Sequence, residues 1–171
     1  MRLKLLLYFL MLAYSFSSQV NYNVTFLGMH AADITINRSD TLFQGYPAVV
    51  IQFTAENSSI SSMVFPIENR YNVIITPDTY RILSFAKFTK QPGVKNSFQT
   101  VSENGVVKYA STGIIIPTNC FNIFSLLDYL ANQHVTDLAA QQFCLEREGL
   151  FYSASLKREL GGKDKLELIL D

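Results

Sequence analysis

The chain has 171 residues, 49% of them hydrophobic and 16% charged, a globular composition that excludes an intrinsically disordered chain and suits one domain. Basic and acidic residues number 14 each, and no basic stripe interrupts that balance, which argues against nucleic acid as a partner. The 13 Phe and nine Tyr, with no Trp, favour a pleated, half-buried surface.

Arg2 and Lys4 give a short positive start, residues 5–13 (LLLYFLMLA) are unbroken apolar, and residues 15–18 supply small side chains. This is the pattern of a cleaved secretory signal, with a cut after Ser15, Ser17 or Ser18. We therefore expect a leader over residues 1–18 and a single antiparallel β domain over residues 19–171. The apolar run is about nine to twelve residues, against the ~20 a membrane-crossing helix needs, and no later stretch is longer. No transmembrane span is expected after cleavage. Losing Arg2 and Lys4 turns 14 basic against 14 acidic residues into 12 against 14, about −2. No Cys follows the apolar run to carry a lipid.

From Val20 the pattern has period two: Val20, Tyr22, Val24 and Phe26 alternate with polar residues, the mark of a strand with one wet face. Gly28 breaks it, residues 33–37 alternate again, and the two runs read as a hairpin. Residues 39–45 read as a turn and residues 47–55 (PAVVIQFTA) as a third strand, before the polar punctuation of residues 57–62. Residues 71–76, 80–89 and 97–102 follow as strands, separated by Pro77-Asp78 and Gln91-Pro92-Gly93. Asn104-Gly105 is the firmest turn signal, since both residues accept the positive φ of a type I′ hairpin. Residues 106–109 return, and residues 113–117 (GIIIP) close the block.

The texture then changes. Residues 121–131 (FNIFSLLDYLA) place Phe124, Leu127 and Leu130 at helical spacing behind Asn122 as N-cap. Residues 138–146 fit either helix or strand, and residues 150–160 and 165–170 read as strands around Gly161-Gly162. The strand pattern runs up to Asp171 without a closing turn, which leaves open a longer gene product. The expected architecture is mainly β: a strongly curved antiparallel sheet, half-barrel or sandwich, of about nine to eleven strands with one short covering helix.

Catalytic machinery is hard to find. GxSxG, GxGxxG, the phosphate-binding GxxxxGK[ST], HExxH and CxxC are all missing, so no catalytic, cofactor-binding or metal residue is assigned. His30 and His134, the two histidines, follow a turn and sit in a polar loop, as surface histidines do. Their spacing to Cys120 and Cys144 matches no zinc module. A Cys120–His134 nucleophile pair has no glycine nearby for an oxyanion hole. Glu56, Glu68 and Asp78 near polar loops read as solvated turn residues rather than a glycosidase pair. Sequons at Asn23, Asn37 and Asn57 matter only in a eukaryotic secretory route. In an exported chain Cys120 and Cys144 invite a disulfide worth roughly 3 kcal/mol, though two buried thiols would serve equally well as small hydrophobes.

Residues 21–33 (NYNVTFLGMHAAD) and 65–82 (FPIENRYNVIITPDTYRI) resemble an exported bacterial family, domain of unknown function 3108. The likeness lies in Tyr22, Val24, Phe26, Gly28 and Ala31-Ala32, then in Arg70-Tyr71 and Asp78. Residues 116–130 add a Pro-containing loop leading into a short helix, with Asn122 where the family commonly has Asp, then Ser125-Leu126-Leu127. The resemblance implies a periplasmic or envelope location and a curved sheet comparable to envelope lipoprotein carriers, and it supplies no catalytic residues. The expected role is non-enzymatic: binding a lipid-like ligand or an envelope protein on the concave face, with Phe124, Leu127 and Leu130 as the lid. The rivals are a structural or assembly protein of the envelope acting through strand edges, and a hydrolase with an unrecognised site.

Overall fold

The computed structural model describes residues 17–26, 29–57, 66–133, 141–159 and 165–170. The expected leader therefore lies almost wholly outside the described residues, as do His134 and most of residues 57–62.

Eight strands follow one another as an open antiparallel meander, each paired with its neighbours in sequence. They are β1 (Ser17–Phe26), β2 (Met29–Phe43), β3 (Tyr46–Asn57), β4 (Glu68–Ile75), β5 (Ile82–Gln91), β6 (Val94–Glu103), β7 (Val106–Tyr109) and β8 (Ile115–Ile116). Residues 39–45 depart from the expected turn. The strand runs on to Phe43, and the chain reverses at Gln44-Gly45, which supply the two left-handed residues (φ 52° and 85°) that a two-residue hairpin requires. Asn104-Gly105 turns the same way between β6 and β7, as its sequence predicts (φ 51° and 76°).

Register puts two apolar rows on the inner face of this sheet. Val49 faces Ile75 and Ile51 faces Val73 across β3 and β4; Ile75 faces Ile82 and Val73 faces Phe85 across β4 and β5. With Val107, Tyr109 and Ile116 these residues form the larger apolar core. The outer face carries a mainly polar row, in which Asn37, Gln52, Asn72 and Gln99 align with Ala86.

The second sheet is built differently. β9 (Cys120–Phe121), β10 (Gln142–Arg147), β11 (Leu150–Glu159) and β12 (Lys165–Leu170) run in the order β12-β11-β10-β9. The ambiguous stretch of residues 138–146 thus resolves to strand over Gln142–Arg147. β9 pairs with β10 in parallel, Cys120 opposite Cys144, and a disulfide joins the two across a Cα–Cα distance of 4.5 Å.

Between the sheets lies α1 (Ile123–Ala131), the one helix among the described residues. Asn122 caps it as its residue type predicts. The Ser125 backbone N–H donates to Asn122 Oδ1 at 2.8 Å, and the Asn122 N–H donates to Ser125 Oγ at 3.0 Å. The helix buries two stripes. Phe124 and Asp128, one turn apart, face the first sheet, where Phe124 packs on Phe53 and Tyr71 and Asp128 meets Arg38 of β2. Leu126, Tyr129 and Leu130 pack with Phe143, Leu145, Ala154 and Leu156 of the second sheet. Ile123 and Leu127 make the remaining, solvent-facing stripe.

Candidate functional site

A cavity of about 430 Å³ opens where the N-terminal end of α1, the inner face of the first sheet and the β10–β11 turn converge. Phe53, Asn69, Tyr71, Phe85 and Lys87 line it from β3, β4 and β5. Asn122, Ile123 and Phe124 close it from the helix, and Leu145, Glu146, Arg147 and Glu148 from the second sheet. Its apolar part is an aromatic corner. The Phe53, Tyr71 and Phe124 rings contact one another with centroids 5.0–5.4 Å apart. The Cys120–Cys144 bond ties together the two segments that lead into its far wall, since Cys120 precedes Asn122 by two residues and Cys144 adjoins Leu145.

Three of the four charged groups that line the cavity, Lys87, Glu146 and Glu148, are engaged. Lys87 occupies a core-facing position of β5, between Phe85 and Thr89 in the alternation. Its Nζ lies 5.6 Å from the centroid of Tyr71 and 5.7 Å from that of Phe98, and it pairs with Glu148. Glu146 is buried. One of its oxygens accepts from the Tyr109 hydroxyl and from the Gly149 backbone N–H, the latter at 2.9 Å. Burial raises the Glu146 carboxyl above its ordinary 4.5, against the opposing pull of the Gly149 and Tyr109 hydrogen bonds. Burial and the Glu146 contact push the Tyr109 phenol far above its usual range.

A second charged group fastens the helix. Arg38 Nε donates to Asp128 Oδ1 at 2.9 Å, yet burial outweighs the guanidinium and leaves the Asp128 carboxyl raised. Tyr80, beside them, is raised by burial first and by Asp128 second.

Of the three helix positions assigned to the ligand face, the structure brings one to the cavity. Phe124 lines it, and Leu130 packs into the second core instead. Leu127 points away, half exposed at 50%, because Ser125 and Leu126 take the buried side of that turn. The expectation that Leu127 buries is corrected by this geometry. Cys120 and Cys144, left open between a disulfide and two thiols, are bonded.

Other sequence candidates lie elsewhere. Glu56 and Glu68 face each other on the outer side of the first sheet, both within ion-pair distance of Arg70. Asp78 sits exposed in the β4–β5 turn, and His30 lies 2.9 Å from Asp33 on β2. No group of three or more His, Cys, Asp or Glu suited to a metal occurs among the described residues, and no helix among them is long and apolar enough to cross a membrane.

Asn69, Lys87, Glu146 and Glu148 were not singled out by sequence. The signal for Lys87 was available: it interrupts a strand register whose other members face the core. No protein-family model, no curated protein and no solved structure matches the chain.

Proposed function

We propose that the chain is an exported protein of the bacterial cell envelope that binds a lipid-like ligand in the cavity between α1 and the first sheet, without chemistry of its own. The observation that carries this reading is the cavity: an aromatic corner of Phe53, Tyr71 and Phe124, roofed by a helix end and sized within the ~300–1,000 Å³ of small-molecule sites. The leader-like residues 1–18 and the resemblance to the exported family with domain of unknown function 3108 support the location. A strongly curved first sheet belongs to the same proposal. The right-handed twist of strands and the register shifts at Val24/Thr25 and Ile74/Ile75 support such bending. The two carboxylates at the cavity, Glu146 and Glu148, are held by Tyr109, Gly149 and Lys87, which favours a binding role over a hydrolytic one.

An environment-sensitive apolar dye tests the reading. The mature protein should bind about one equivalent with micromolar affinity. Phe124→Ala should weaken that binding by removing a cavity wall, while Leu127→Asp on the solvent stripe should leave fold and dye binding intact. A folded wild type that takes up no dye would overturn it.

One observation favours the assembly reading. Among the described residues β1 pairs only with β2, and its Val20, Tyr22 and Val24 stay exposed although they share a face with Ile36, Ile34 and Ala32. Such an edge can add a strand from a partner. Sedimentation decides between the two: concentration-dependent association abolished by Tyr22→Lys, in a protein that takes up no dye, would put assembly first.

A further inference from the structure

The cavity carries a second, polar half that the apolar reading does not use. Asn122 is 4% exposed and lines the cavity. Its Oδ1 is committed to the Ser125 N–H, which fixes the amide so that Nδ2 is the free end, and that Nδ2 has no hydrogen-bond partner. Across the cavity, Asn69 Oδ1 is likewise buried without a partner. The pattern continues along one row of the inner face. Asn69 faces Thr89 across β5 and Thr89 faces Asn96 across β6, and Thr89 Oγ1 and Asn96 Oδ1 are also buried and unpartnered. Thr89 is only 5% exposed.

Of these atoms, Asn122 Nδ2 and Asn69 Oδ1 belong to the cavity wall, where two unmatched polar groups are costly unless something completes them. Asn122 offers a donor and Asn69 an acceptor. A group that both donates and accepts fits this pair. The charges set inside the cavity do not ask for a counter-ion: Lys87 is matched by Glu148, and Glu146 is held by Tyr109 and Gly149, while Arg147 sits out in solvent.

Resting on the ligand-binding reading above, we infer that the ligand is a neutral amphiphile. Its apolar chain lies against Phe53, Tyr71 and Phe124, and its hydroxylated head, of the glycerol or sugar kind, lies between Asn122 and Asn69. Arg147, exposed at the rim, is the group through which an anionic head would bind instead.

Calorimetric titration of the mature protein, below micelle-forming concentrations, with octyl glucoside and with octanoate separates the two. Octyl glucoside should bind about tenfold tighter or better, since each satisfied buried polar group contributes on that order. Asn122→Ser keeps a capping oxygen but removes the Nδ2 donor, and Asn69→Leu removes the Oδ1 acceptor at similar volume. Each should weaken octyl glucoside about five- to tenfold. Leu127→Asp, outside the cavity, serves as the control that changes neither probe. Should Asn69→Leu misfold, Asn69→Gln keeps an amide acceptor and should keep the preference, and Asn122→Ser alone then carries the loss. Octanoate binding as well as or better than the glycoside would overturn the inference while leaving a ligand-binding protein. A preference that survives both substitutions would overturn the assignment to these residues. A folded protein that takes neither alkyl probe nor the apolar dye would defeat the binding reading itself, and the inference with it.

Discussion

The two sheets of this molecule are fastened differently. The first is a meander in which every strand pairs with the one before it in sequence. The second has two such pairings, β10 with β11 and β11 with β12, and adds fastenings between residues far apart in the chain: a two-residue parallel rung, a disulfide between positions separated by 24, and a helix placed between the sheets. Local reversals are encoded in a few residues, such as Asn104-Gly105, whose chemistry is visible in isolation. Non-local fastenings are not, because a sequence carries no mark of which distant segment a side chain will meet.

That contrast makes distinct demands on substitutions. Cys120→Ala with Cys144→Ala removes the covalent tie of the second sheet and should cost about 3 kcal/mol in chemical denaturation. Tyr109→Phe should cost about 2 kcal/mol, since it strips a donor from a carboxylate buried between the sheets. Next in size comes Gly105→Val in the first sheet. It should cost a little over ~1 kcal/mol, because a β-branched residue resists a φ of 76°. Smallest is Val20→Ala on exposed β1, which should shift the denaturation midpoint by less than ~0.5 kcal/mol.

The second sheet should also respond to pH. The folded state holds the Glu146 proton more firmly than the unfolded chain does, because its carboxyl is raised above 4.5. The stability linked to that proton is complete below 4.5 and is lost as pH rises through the native value. Asp128 contributes with the same sign from 3.8 upward. The denaturation midpoint of the wild type, compared with Glu146→Gln, should therefore fall as pH climbs above 4.5, and a flat difference between the two would refute the linkage.

How much was legible follows from the same contrast. The alternation of residues 20–26 and 47–55, the Asn104-Gly105 hairpin and the Asn122-capped helix could all be read residue by residue, and each appears in the structure. Period two marks faces, however, and says nothing of burial. Val20, Tyr22 and Val24 alternate as cleanly as Val49, Ile51 and Phe53, yet no element among the described residues covers the first set. The helix was legible as amphipathic, but spacing selected Leu127 for burial. A helix inserted between two sheets buries two stripes and leaves a third, and which stripe is left depends on neighbours that are distant in sequence. Glu146 and Lys87 escaped notice for the same reason, since their partners Tyr109 and Glu148 lie 37 and 61 residues away.

The open meander has a kinetic consequence. Each of its pairings joins consecutive strands, so every loop closed on the way is short and its entropic cost small. A chain with that wiring can zip from one hairpin to the next, in the regime where near-neighbour contacts speed folding. The rung between β9 and β10 cannot be reached that way. It must wait until α1 and the intervening residues have found their place. Refolding of the reduced protein followed by amide protection should therefore show the ladder from β2 to β7 protected first and β10 last, with the cavity completed only in that final step.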